Sequence, residues 1–159
     1  MKKREVIAAF IARIEEDLMM IKNAAMATHD AATNEESKPE NQYDTRALEA
    51  AYLAGAQAKR AAEIDEVLSL FRTLSFKDLT AADPVQATAL VEIDLDGKRS
   101  KVLMMPKGGG VSLKHGNDTV QIVTPASVLG ESILGLNVGQ TTSFEVGQKV
   151  RECEIVAIS

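Results

Sequence analysis

The chain has no Trp, one Cys, two His and 4% aromatic residues in a length of 159. Each scarcity excludes something. A lone thiol, Cys153, can neither close a disulfide within the chain nor build a metal site by itself, which suits a reducing cytoplasm. It sits in RECEIVAI, a strand-like run with no His nearby, so packing is the simpler role than nucleophilic catalysis. His29 and His115 have no Cys, His or acidic partner at ligand spacing, and each reads as a surface residue. Positive charge is also scarce. With 18 Lys and Arg against 23 Asp and Glu the net charge is −5, which argues against a general grip on nucleic-acid backbone. Long apolar runs are missing too. The opening MKKREVIAAFIARIEED is broken by Arg13 and the acidic residues after it, so neither a signal peptide nor a membrane span is expected. The one glycine run, Gly108-Gly109-Gly110, has no following Lys-Ser/Thr and opens no helix, so it reads as a turn and not a phosphate cradle.

What is present is aliphatic: 45% of the residues are hydrophobic, enough for a folded core. Ile7, Ile11, Ile14, Leu18, Ile21 and Ala25 recur at spacings of four and three, which predicts a helix from Lys2 to about His29 with a heptad seam. A second helix is expected from about Thr45 to Leu74. Its facing seam is Ala47, Ala50, Ala54, Ala58 or Ala61, Ile64, Leu68 and Phe71. Two helices joined by so short a connection run antiparallel, and roughly 28 to 30 residues each make a rod about 40 to 45 Å long. The seam is large near its base and alanine-rich near its tip. Close helix approach and a narrowing finger would follow, with Gly55 as a packing or bending residue, although Ala is also simply the best helix former.

The connection, AATNEESKPENQYD (residues 31–44), is polar and acidic. Thr33 to Glu36 and Ser37 to Glu40 both match a capping box, and Asp44 before Thr45 is a further cap candidate. Two readings of Glu36, Glu40 and Asp44 therefore stand side by side. They cap the second helix and complement its dipole, or they present carboxylates at the end of a rod to complete a metal site on another molecule.

From about Pro84 the period switches to two. Val91, Ile93 and Leu95 alternate with Glu92 and Asp94, with Leu90 as the exception, and Asp96-Gly97 signals a hairpin turn before Lys98 to Met105. Further strands are expected at Gly110 to Lys114, Thr119 to Thr124, Thr141 to Val146 and Lys149 to Ile158. One short helix, Val128 to Leu134, is capped by Ser127 and ended by Gly135. The class is α+β: a coiled-coil finger over 1–79, a linker at 80–83, and an antiparallel sheet domain over 84–159 with its helix on one face.

An antiparallel coiled coil with an acidic tip, followed by Val123-Thr124-Pro125-Ala126-Ser127-Val128-Leu129-Gly130 and Ile133-Leu134-Gly135-Leu136-Asn137-Val138-Gly139, resembles the bacterial Gre transcript-cleavage factors. The resemblance covers both domains. It implies a carboxy-terminal domain similar to the FK506-binding-protein fold that docks on RNA polymerase, here through Pro125, Ser127, Val128 and Leu129. It also implies a tip aimed through the secondary channel at the polymerase active site, in indirect contact with the nascent RNA. The family's tip resembles Gly-Asp-Leu-x-Glu-Asn-x-x-Tyr. Glu40-Asn41 matches its Glu-Asn, Tyr43 matches its Tyr if one residue is missing, and Ser37 stands where the family has Asp, with Glu36 beside it. Glu36, Glu40, Asn41 and Asp44 are then the candidates for positioning magnesium and water. The magnesium would be shared with the polymerase, and the chain would hold no metal or cofactor of its own. The expected protein is a cytoplasmic monomer, not itself an enzyme, which stimulates hydrolysis of backtracked RNA by the polymerase. A regulator that occupies the channel without stimulating cleavage is the alternative. A prolyl isomerase is weaker, because the only aromatic from Pro84 onward is Phe144.

Overall fold

The structure is a computed structural model that describes residues 2–33, 38–40, 45–115 and 118–159. Its elements run α1 (Lys3–Thr33), α2 (Arg46–Thr73), β1 (Leu90–Leu95), β2 (Lys98–Met104), β3 (Ser112–His115), β4 (Asp118–Val123), α3 (Val128–Ile133), β5 (Thr141–Val146) and β6 (Lys149–Ile158). The α+β class expected from the two periods is the one observed. By their contacts these elements divide into two compact units, Ile11–Arg72 and Met1–Phe10 with Thr73–Ser159. The expected finger over 1–79 therefore extends across both.

In the unit Ile11–Arg72, α1 and α2 form a helical hairpin. α1 continues past His29 to Thr33, where the Thr28 and Thr33 hydroxyls donate back to the carbonyls of Ala24 (2.8 Å) and His29 (3.0 Å). Such returns keep polar side chains compatible with helix. The buried positions are Ile14 and Leu18 on α1 and Ala54, Ala61, Leu68 and Phe71 on α2. The seam thus uses Ala61, while Ala58 is exposed. Arg72 reaches across to Glu15 at 2.5 Å. Towards the tip the small residues leave space where a narrowing finger was expected. A cavity of about 550 Å³ is lined by Ala25, Met26 and His29 from one helix and Ala51, Ala54, Gly55 and Ala58 from the other. A Cβ placed on Gly55 would meet nothing within 4 Å, so no close packing requires that glycine.

In the other unit, six strands form one sheet in the order β3-β4-β2-β1-β6-β5. The sheet is not wholly antiparallel as expected: β2 and β4 pair in parallel, Lys101 opposite Val120 through Met104 opposite Val123. Residues 105–111 and the β3–β4 hairpin carry the chain round so that β4 lies beside β2 in the same direction. The main core comprises Val91, Ile93, Val102, Met104, Cys153 and Ile155 together with Ile133 of α3, and Leu129 packs against it. Leu90 and Leu103, directly opposite each other on the other face, are also buried, which accounts for the break in alternation at Leu90. Val6 and Phe10, which belong to this unit, are fully buried, and Lys3, also buried, donates from Nζ to the carbonyl of Lys77 at 2.5 Å. Desolvation pulls the Lys3 ammonium below its ordinary range against the opposing pull of Asp78.

Residues 80–83 form an ordered turn. Asp83 accepts from the Thr80 backbone N–H (2.8 Å) and hydroxyl (2.9 Å), which holds its carboxyl below the usual range. Val85 then exchanges backbone bonds with Leu136 and Gly135, both 2.8 Å, fixing the entry to the sheet beside the end of α3.

Candidate functional site at the hairpin tip and on the short helix

α2 begins at Arg46, with Thr45 at its entry: the Glu49 N–H donates to the Thr45 carbonyl at 2.9 Å and the Thr45 hydroxyl to the Glu49 carboxylate at 2.8 Å. Glu40 lies before this first turn, outside the positions from which it could cap α2. Its side chain is 80% exposed, and Oε1 stands 3.5 Å from the Arg46 guanidinium. Glu40 thus stands as an exposed carboxylate beside Arg46 and not as a cap of α2. Glu36, Asn41 and Asp44, the other tip candidates, lie outside the described residues, as do Ser37 and Tyr43. One carboxylate can supply one or two of the six oxygens that magnesium takes, so Glu40 suits an ion whose other ligands come from elsewhere. Among the described residues no group of three or more His, Cys, Asp or Glu side chains is placed to hold a metal ion.

The second set of candidates surrounds α3. Ser127 is its cap: Oγ accepts from the Gly130 N–H at 3.1 Å and donates to the Thr124 carbonyl at 2.7 Å. Its hydroxyl is thus committed to the fold. Gly130 is buried, and a Cβ there would lie 1.9 Å from the Thr124 carbonyl oxygen, so only glycine fits. Pro125 is exposed, Val128 is 52% exposed and Leu134 44%, whereas Leu129 packs on the core. Of the expected docking residues, Pro125 and Val128 present surface, while Ser127 and Leu129 shape it.

Two features escape a linear reading. Arg46 carries no motif, and its place 3.5 Å from Glu40 cannot be read from their spacing in the sequence. The other is an acidic cavity of about 550 Å³ on the sheet, lined by Asp94, Asp96, Glu152 and Glu154 with Thr141, Thr142 and Ser143. Cross-strand register places Asp94 directly opposite Glu154, an unfavourable like-charge pair that spacing in the sequence does not reveal. Asp96 is anchored: it accepts from the Glu152 backbone N–H (2.9 Å) and from Arg151, which together hold its carboxyl below the usual range. Cys153 beneath is 1% exposed, and burial pushes its thiol up to about 11.

Gly108 and Gly110 have positive φ, and Gly110 donates its N–H to the Ile122 carbonyl at 3.0 Å, so the glycine run builds the turn into β3. His29 is exposed on α1. Phe144 packs against the sheet core. No described helix is long and apolar enough to cross a membrane.

No family model matches this chain, and no curated protein does. Among solved structures it is similar to that of the transcription factor Gfh1, at 20% identity and a TM-score of 0.39, over 94% of this chain and 93% of that one. It is similar to Thermus aquaticus Gfh1 at 19% identity and a TM-score of 0.37, covering 95% and 94%. The third is a GreA/GreB transcription elongation factor from Nitrosomonas europaea, at 14% identity and a TM-score of 0.37, over 60% of this chain and 78% of that one.

Proposed function

We propose that this chain is a transcription elongation factor that binds RNA polymerase and presents its hairpin tip in the secondary channel, where it stimulates the polymerase's cleavage of backtracked RNA. The observation that carries the reading is Glu40, an exposed carboxylate at the turn of a two-helix hairpin, in the position matching the Glu of the family-like tip. In this role Glu40 contributes oxygen ligands and orients water, while the polymerase supplies the site and the chain itself is no enzyme. Magnesium, shared with the polymerase, would supply charge stabilisation and an activated water. The exposed side of α3, with Pro125 and Val128, is the docking surface in this reading, and the setting is the cytoplasm.

The test is RNA cleavage in purified backtracked complexes. Shortened RNA should form with the wild-type chain and not with Glu40→Gln, which keeps shape and removes charge. Polymerase binding should be nearly the same for both. Ser37 favours a second reading, a non-cleaving occupant of the channel, because it stands where the family-like pattern has Asp. That reading predicts polymerase binding with no shortened RNA at saturating protein and magnesium, and a gain of cleavage in Ser37→Asp.

A further inference from the structure

Arg46 is the first residue of α2, where a positive charge opposes the helix dipole. Helix preference does not explain it. Its guanidinium instead stands 3.5 Å from the Glu40 carboxylate. We propose that Arg46 is a resident counter-ion for Glu40, which a divalent cation must displace before the carboxylate can serve it. The inference rests on the reading of Glu40 as a magnesium-facing group.

The physical case is one of competition. A guanidinium and a hard divalent cation seek the same carboxylate oxygens, and one cannot approach closely while the other holds them. Both side chains are well exposed, 62% for Arg46 and 80% for Glu40, so the pair is weak enough to open. In the isolated chain Arg46 would therefore offset part of the Glu40 charge. Capture of the ion would be favoured where further ligands add to the attraction, as beside a metal held by another molecule. On release the guanidinium is left at the same place, able to face the added anionic charge of such a site.

The test needs no polymerase. Manganese, an oxygen-seeking stand-in for magnesium, is titrated into the isotope-labelled full chain, and broadening of the Glu40 backbone amide signal is followed by NMR. Arg46→Gln should reach half-broadening at a manganese concentration lower by up to about fivefold, the range open to an exposed pair. Arg60→Gln removes the same charge from the Glu63 pair elsewhere on α2 and should leave the Glu40 response as in wild type. Equal responses from Arg46→Gln and Arg60→Gln would overturn the proposal, since only overall charge would then matter. The magnesium dependence of RNA cleavage should shift in the same direction for Arg46→Gln. A shift in manganese response without any cleavage by either protein would sustain the counter-ion and refute cleavage stimulation. Cleavage with no shift in either titration would do the reverse.

Discussion

The sheet unit and the hairpin unit are held by different means. In the sheet, Ile93, Leu103, Met104, Ile122 and Ile155 have no exposed surface, and the turn at 80–83 and the start of α3 are fixed by short hydrogen bonds. In the hairpin, large buried side chains are confined to the end near Ile14, Leu18, Leu68 and Phe71, and the alanine-rich end leaves open space beside Met26 and Gly55. Met19, Met20, Met26, Leu48, Tyr52 and Leu53 are all more than half exposed there. One unit is over-determined and the other is assembled from helix propensity with a short seam. Packing that tolerates no change belongs to the part that must keep its shape, and a rod needs only to remain helical.

Substitutions in the two units should separate these cases. The largest effect is expected at Ile155→Ala, which removes a fully buried side chain from the sheet core and should cost about 2–5 kcal/mol by denaturant unfolding. Gly130→Ala should follow at about 1–3 kcal/mol, because the new methyl has to displace the Thr124 carbonyl. A wild-type unfolding midpoint in either variant would contradict the picture of a rigid sheet unit.

Cys153 supplies a pH test of the same unit. Its thiol is raised from 9.0 to about 11, chiefly by burial, so folding favours the protonated form. The associated stability is fully present below pH 9 and is lost as pH rises through about 11. Alkylation at pH 8 should be far slower in the folded protein than in denaturant, and equal rates would show the strand to be open. The smallest change is expected in the hairpin. Gly55→Ala meets nothing within 4 Å and should stabilise α2 by about 1 kcal/mol, seen as slower amide exchange around residues 50–58. Faster exchange would reveal a packing role for that glycine after all.

Much of this was legible in the residues. The heptad spacing located both helices, and the switch to period two located the strands, because these periods follow from backbone geometry alone. The capped helix at Ser127 was equally local. Neighbour relations were not. A period of two assigns faces but does not say that β4 lies parallel to β2 or that Asp94 meets Glu154. The burial of Lys3 was hidden because its partner is a backbone carbonyl 74 residues away. At the tip, several overlapping cap signals competed, and only the start of α2 at Arg46 separates Glu40 from them.

The way α3 is built has a consequence for its outer face. Its shape is maintained from behind and beneath, by the Ser127 cap, the space reserved at Gly130 and the seat of Leu129 and Ile133 on the core. Val128 and Leu134, which face outward, take little part in that support. The outer surface can therefore be rewritten one side chain at a time without disturbing the scaffold. Changes confined to Val128 and Leu134 should alter the chemistry of this face and leave the fold of α3 as it is.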